Sequence, residues 1–464
     1  MRAIKVNEIC QIIDGKIIAG TGEELISTVC QDSRLVEKGA GFFAVKGANF
    51  DGHDYIASTV EKGASLIVID NKDKFDTFLE KDKQFQGTCI LVENTIMALV
   101  KLAKDYLDSL NIKKIGVTGS CGKTSTRDMI YYVLKEKYKS HRNKGNFNTL
   151  VGVALTILDI PEDAQVAVFE MGMDGPGQIR EIVELVRPDM AVITNIGVSH
   201  LENFENRDGI FNAKMEITEF FKGGETLIVS GDNIYLNHEK LKGKVKENCK
   251  VLISGIGDEY ENLDVVLSNV IENSNLTVSF DIKTEDEKKH VDLPVPGKHN
   301  AENAALALAI GKEMGISLSE GAKGLVKMNL TGKRLLVEEG NGLKVINDTY
   351  NANPQSMKAA IDILVSGKGK EGGRKIAVLG DMYELGLDEI DFHREVGEYA
   401  LSKADVVYSV GEMSKAMGAD IHFDTKEEIL AEKEKLFKEG DLILVKASNG
   451  MHLDKLVEGL LAIN

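Results

Sequence analysis

The chain has 464 residues, 43% hydrophobic and 28% charged, a soluble globular balance over a length that calls for about three domains. Its 73 acidic and 56 basic residues leave a formal charge of −17, which argues against non-specific nucleic-acid binding, a mode built on many Lys and Arg contacts to phosphate. No apolar run reaches the ~18 residues of a membrane span, so no membrane insertion is expected.

The N-terminal MRAIKVNEICQIIDG carries Glu8 and lacks the apolar stretch of a signal peptide. Five dispersed cysteines without CxxC spacing read as free thiols, so a cytoplasmic location is expected. Over the first hundred or so residues, short apolar runs (GFFAVKG, ASLIVID) alternate with helical stretches and glycine turns, as in a small α/β unit. A helix pattern, NTIMALVKLAKDYLDSLN, then leads to NIKKIGVTGS, with a boundary near residue 111. Beyond it IKKIGVT, AQVAVFE, DMAVITN and ETLIVS are apolar runs mostly without polar alternation, as strands of a parallel sheet covered on both faces read. From Gly255 to His290 the chain is charged and NLTVSFDI alternates weakly, which fits an insertion or an extension of the sheet. LPVPGKHNAENAALALAIG reads as a strand end and a small-residue helix. A third α/β region opens near Leu330, with strands LKVIN, KIAVLGD, DVVYSVG and DLILVKAS. The expected fold class is α/β, with domains over 1–110, 111–329 and 330–464.

The stretch GVTGSCGKTST, Gly116 to Thr126, fails the G-x-x-x-x-G-K-[ST] spacing, because Val117 stands five positions before Gly122 and Gly119 only three. The chemistry of a nucleotide loop is nevertheless there. A strand before it and the helix pattern TRDMIYYVLKEKY after it would aim backbone N–H groups and a helix dipole at an anion. Gly119 and Gly122 permit positive φ and close approach to phosphate oxygens. Thr118, Gly119, Ser120, Cys121, Gly122, Lys123 and Thr124 therefore form the expected nucleotide loop, Lys123 reaching the β/γ-phosphates and the Thr124 hydroxyl an Mg²⁺ ion.

Glu170 closes the apolar run AQVAVFE, where it can hold Mg²⁺ or serve as an exposed loop carboxylate. His200 follows MAVITNIG, and Lys214 lies on the next helix; taken alone they read as a loop histidine and a solvated lysine. Asn300 and Asn303 share a helix face, and such short amides also cap helices.

Together these pieces resemble the Mur ligases, ATP-dependent amino-acid ligases of peptidoglycan precursor synthesis. TGSCGKTST, GNFNTLVG, FEMGMDGPGQI, ITNIGVSHLENF, FNAKMEI and LPVPGKHNAEN match that family in order, over nearly the whole chain. LTGKRL, INDTYNANPQSMKAAIDIL and VLGDMYELG resemble the branch that attaches D-alanyl-D-alanine, and the DNPR motif of the branch adding the third residue is missing. QDSR…GFFAVKGANFDGHDYI is similar to the UDP-sugar module of both branches. Asp174, Gln178 and Thr149 depart from the usual pattern, as does FENR after HLE.

The resemblance implies an N-terminal UDP-binding module, a central P-loop ATPase-like sheet and a Rossmann-like C-terminal domain. It also implies a reaction: ATP phosphorylates the carboxylate of UDP-N-acetylmuramoyl-tripeptide, and D-alanyl-D-alanine attacks the acyl phosphate. Lys123 would hold phosphates, Thr124 and Glu170 one Mg²⁺ ion, and His200 would help hold a second. Lys214 would carry a CO₂-derived carbamate and join the metal ligands. Asn303 would face adenine, Arg334 the phosphates, and Asp348 ribose or phosphate, so that nucleotide joins two domains and draws them closed. Ser33, Arg34, Lys46 and Gly47 would meet the uridine diphosphate. Asn146, Asn148, Thr149 and Asp381 would face substrate, with the dipeptide near Asp381–Leu385. A monomer is expected. The rivals are a sister ligase, a folylpolyglutamate synthetase and a P-loop switch or partitioning ATPase.

Overall fold

The computed structural model describes the chain except residues 48–49, 82–84, 198–202, 205, 232, 258–261, 329–331, 371 and 463–464, and the side chain of Leu387. By compactness the chain divides into two units. The first holds Met1–Ile115, Tyr138–Gly172 and Arg180–Pro188; the second holds Gly116–Lys137, Met173–Ile179 and Asp189–Asn464.

In the first unit a sheet runs in the order Lys16–Ala19, Thr88–Leu91, Leu66–Ile69, Gly41–Phe43, Val29–Cys30. Its pairs are parallel except the first. The run Leu66–Ile69 is buried at every position, which explains why the sequence shows no polar alternation there. Phe42, Ile67, Ile69, Phe75 and Phe78 form the core on one side. The helix Thr95–Ser109 starts where the Asn94 side chain accepts the Met97 amide. The parallel strands Ser140–Arg142 and Val166–Glu170 belong to this unit as well. The Lys113 amide donates to the Gln165 carbonyl at 3.0 Å, so the strand Lys113–Thr118 begins here and carries the chain into the second unit.

In the second unit strands lie in the order Lys288–Leu293, Thr277–Lys283, Val265–Asn273, Lys250–Ile256, Thr226–Ser230, Met190–Ile193, Lys113–Thr118. The charged stretch after Gly255 thus extends the sheet: Val265–Asn273, Thr277–Lys283 and Lys288–Leu293 form an antiparallel meander on its edge. The helix Lys298–Glu313 packs on the helix Lys123–Lys135 that follows the glycine loop.

The same unit holds a second sheet, in the order Leu336–Gly340, Leu343–Asp348, Leu442–Lys446, Lys375–Gly380, Val406–Val410, Ile421–Phe423. Only its first pair is antiparallel. Alternate residues of a strand face opposite sides, so Ile346 and Leu444 enter one core with Met357 and Ile361. Val345 and Ile443 enter the other, with Val378 and Leu456. Asp348 and Lys446 are register partners at the C-terminal ends of neighbouring strands, the edge where open α/β sheets keep their ligands. The four strands expected in this region are all found, together with two edge strands that were not expected. Among the described residues no helix is long and apolar enough to cross a membrane, and the five cysteines are free thiols.

Candidate active site

The glycine loop is braced by the chain just after the strand Met190–Ile193. The Asn195 side-chain oxygen accepts the Ser120 and Cys121 amides at 3.0 and 2.8 Å. Ser120 Oγ accepts the Gly197 amide at 2.8 Å, and the Thr194 hydroxyl donates to the Cys121 carbonyl. Two loop amides expected to face an anion are therefore engaged by Asn195, which corrects the sequence reading. Gly122 caps the helix Lys123–Lys135 at φ 79°, left-handed backbone that favours glycine. A Cβ on Gly119 would come 1.9 Å from Thr194 Oγ1, and one on Gly122 would come 2.8 Å from Asn303 Oδ1. These are the close approaches that the two glycines permit. Thr118 and Thr124 are buried beside them, and the Lys123 ammonium folds onto the Gly119 carbonyl at 2.7 Å.

Lys214 is 2% exposed, on the helix Arg207–Met215, and makes no hydrogen bond among the described residues. Burial pushes its pKa well below 10.5; the Lys123 charge acts in the same direction, and Cys121 against it. The solvated-lysine reading is thereby replaced: Lys214 is a buried amine whose surroundings disfavour its charged form. Arg207, on the same helix, donates through Nε to the Ile196 carbonyl at 3.0 Å, and Asn233 donates to that carbonyl at 2.8 Å. The helix carrying Lys214 and the brace of the loop are thus tied together.

Asn303 is buried against Gly122, and its amide donates to Asn300 Oδ1 at 3.4 Å. Asn300 does not cap the helix; Gly297 is the cap residue, and Asn300 donates back to the Pro296 carbonyl at 2.7 Å. Burial lowers His299 to about 4, with the Asp348 charge opposing and the Lys446 charge assisting, so it is neutral at pH 7. Asp348 Oδ2 accepts from Lys446 Nζ at 2.6 Å, and Oδ1 accepts the Leu335 amide at 3.3 Å. Lys446 also donates to the Asn351 carbonyl at 2.7 Å. Arg334 lies over the face of Tyr350, its Cζ 3.9 Å from the ring centroid. The Asn353 amide reaches Cys121 Sγ at 3.1 Å, so the second sheet's helix Pro354–Ser366 begins at the glycine loop.

Asp381 is buried with its carboxylate spent on the Ser414 and Glu412 amides at 2.8 and 3.1 Å. It anchors the turn after the strand Val406–Val410, a task that the sequence did not indicate.

In the first unit Glu170 is 1% exposed, not an open loop carboxylate. Its Oε1 accepts from Asn148 at 2.9 Å, while Asn143 Oδ1 accepts the Glu170 amide at 2.6 Å. Asn146 is exposed on the same loop. Thr149 caps the helix Leu150–Leu158 by accepting the Gly152 amide at 3.3 Å, so its oxygen serves the helix. Ser33 and Arg34 open a short 3₁₀ turn capped by Asp32. Arg34 forks back onto Asp32 at 2.9 and 2.7 Å with its side chain 85% exposed, a pair weak enough in water to exchange for a diphosphate. Lys46 and Asp51 form an isolated antiparallel β-bridge, and the Gly47 amide donates to the Phe50 carbonyl at 2.9 Å. His200 lies outside the described residues.

The donors present suit a nucleotide and magnesium. In the second unit the glycine cradle is one that a Cβ would fill, and Thr124 supplies a hard hydroxyl oxygen; in the first unit, taken by itself, Glu170 supplies a carboxylate. Among the described residues no three His, Cys, Asp or Glu side chains converge as a metal cage. Mg²⁺ is commonly bound by one or two carboxylates plus substrate phosphates, without such a cage.

The sequence reading missed Asn195, Lys446 and Tyr350. The last lies inside a quoted motif, INDTYNANP, and Lys446 ends an apolar run just as Glu170 does. Asn195 lies inside another quoted motif, ITNIGVSHLENF, but nothing in that stretch shows that its side chain reaches the loop.

Family models match three consecutive stretches: Mur ligase family, catalytic domain, over residues 25–107; Mur ligase middle domain, over 117–311; and Mur ligase, glutamate ligase domain, over 334–449. A UDP-N-acetylmuramoyl-tripeptide–D-alanyl-D-alanine ligase of Bacillus subtilis (strain 168) is 38% identical over 471 residues, covering 98% of each chain. A crystal structure of MurF from Acinetobacter baumannii matches with a TM-score of 0.86 at 28% identity over 99% of both chains. MurF from Thermotoga maritima in complex with ADP matches with a TM-score of 0.78 at 29% identity, over 93% of this chain and 96% of that one. The chain belongs to the Mur ligase family.

Proposed function

We propose that this chain joins D-alanyl-D-alanine to UDP-N-acetylmuramoyl-tripeptide with ATP, giving UDP-N-acetylmuramoyl-pentapeptide, ADP and phosphate for peptidoglycan. The observation that carries it is the buried Lys214 amine, within reach of the Lys123 charge at a glycine loop, in a chain that aligns over 98% of its length with a ligase of that name. The three-domain division 1–110, 111–329 and 330–464 belongs to the proposal, as does a cytoplasmic location, which the free thiols support.

A carboxylate is a poor electrophile until it is phosphorylated. Its oxygen attacks the γ-phosphorus, ADP leaves, the dipeptide amine attacks the acyl carbon, and phosphate departs. The protein must first bring a triphosphate and a carboxylate together against their repulsion. Lys123 and the amides at the start of its helix hold the phosphates, and Arg334 approaches them from the second sheet. Thr124 and Glu170 are the residues that would hold Mg²⁺, which when bound screens the meeting anions. His200 is proposed for a second ion. Lys214, when its amine is neutral, can add CO₂ and release a proton, which puts an anionic oxygen ligand where a neutral nitrogen stood. An α-amine has a pKa near 8, so roughly a tenth of the dipeptide is nucleophilic at pH 7. Ser33, Arg34, Lys46 and Gly47 are proposed for the uridine diphosphate, and Asn146 and Asn148 for the substrate's approach to Glu170.

The test is phosphate release with ATP, Mg²⁺, D-alanyl-D-alanine and tripeptide ending in lysine or in meso-diaminopimelate. Release that requires both substrates supports the reading. Release with ATP alone, or with glutamate plus folate, redirects it.

A further inference from the structure

We infer that Tyr350 is a positioning residue, whose ring face holds the Arg334 guanidinium ready for the nucleotide's phosphates without consuming its charge. This rests on the ATP site proposed above. Arg334 makes no hydrogen bond or ion pair among the described residues, and its Nε is buried without an acceptor. Its one polar-face contact is the Tyr350 ring, 3.9 Å from Cζ. The obvious anionic partner is already committed. Asp348, two residues before Tyr350, gives one oxygen to Lys446 and the other to the Leu335 amide.

That second bond matters for Arg334 as well. Leu335 sits at φ 53°, left-handed backbone that costs a leucine, and the Asp348 carboxylate pins its amide there. The turn that aims Arg334 is held from behind by Asp348, while Tyr350 supports the guanidinium from below. Gly332 lies close enough to the ring that a Cβ there would come 3.4 Å from Tyr350 Cδ2.

A carboxylate would fix an arginine equally well but would neutralise it and occupy its donor fork. An aromatic face attracts the cation through its π cloud and leaves the in-plane N–H groups open for bidentate phosphate binding. This gives the tyrosine of DTYNANP a task that its position in the motif does not reveal.

The test is calorimetric ADP binding, with Mg²⁺, to the full chain and its variants. Tyr350→Phe, which keeps the face, is expected to bind within about twofold of the native protein. Tyr350→Leu is expected to lose about tenfold. In an Arg334→Met background Tyr350→Leu should lose nothing further, because the ring acts only through the guanidinium. Should the leucine variant not fold, Tyr350→Met carries the same expectation. Native affinity in the leucine variant, a full additive loss in the Arg334→Met background, or a phenylalanine variant as weak as leucine would each overturn the inference. Failure of the native chain to bind ADP would instead remove the ATP reading beneath it.

Discussion

The Asn195 side-chain oxygen accepts the Cys121 amide at 2.8 Å and takes the Ser120 amide on the same atom. A neutral oxygen from a neighbouring strand end thus does, for half of the loop, what a phosphate oxygen does in a longer nucleotide loop. It fixes the turn from outside the loop. Asn195→Ala leaves the Cys121 amide without its acceptor, at a cost of about 1–3 kcal/mol, while the Ser120 amide keeps the Asn195 backbone carbonyl at 3.1 Å. ADP affinity measured by calorimetry should fall by about tenfold or more. Native affinity in that variant would mean the loop keeps its shape unaided.

Lys214 titrates against stability. Its native pKa lies well below 10.5, so between that lowered value and 10.5 the unfolded chain binds one more proton than the folded one, and stability rises with pH across that window. Lys214→Met removes the burden. In bicarbonate-free buffer at pH 7 the variant should be more stable than the native protein and should lack ligase activity. Its advantage should shrink by about 1.4 kcal/mol per pH unit inside the window. A gap between the two urea profiles that is independent of pH would show that Lys214 is charged in the folded protein.

Lys446 and Asp348 form a buried pair at 2.6 Å, Lys446 being 2% exposed and Asp348 8%. Removing one member leaves an uncompensated charge, so Lys446→Met should destabilise by about 3 kcal/mol in urea unfolding. Asp348→Asn combined with Lys446→Met should recover part of that loss, because the stranded charge is gone. A double variant less stable than Lys446→Met would show that Asp348 contributes chiefly through the Leu335 amide.

The elements of the fold that could be read in advance are those whose residues carry their own signal. IKKIGVT and DLILVKAS are apolar at consecutive positions because both faces are covered, and the strands Lys113–Thr118 and Leu442–Lys446 fall within them. The edge strand Leu336–Gly340 reads LVEEG, half exposed and acidic, and nothing in that composition marks it as a strand. The site divides in the same way. Gly119, Gly122 and Lys123 announce a phosphate loop by type and spacing, whereas Asn195 acts on it from a distance in the chain that no local pattern encodes. The turn that Asp381 caps was not legible for a related reason: a strand-end carboxylate looks the same in sequence whether or not it accepts the amides of a later turn. Lys214 reads as a surface lysine until its burial is seen.

The central claim is that the tripeptide carboxylate is activated by direct phosphorylation, and isotope transfer tests it most directly. Tripeptide substrate carrying ¹⁸O in its terminal carboxylate is turned over with ATP and D-alanyl-D-alanine, and the released phosphate is weighed by mass spectrometry. The account predicts one ¹⁸O in each phosphate, with the other retained in the new amide. Unlabelled phosphate, or label found in AMP, would contradict it.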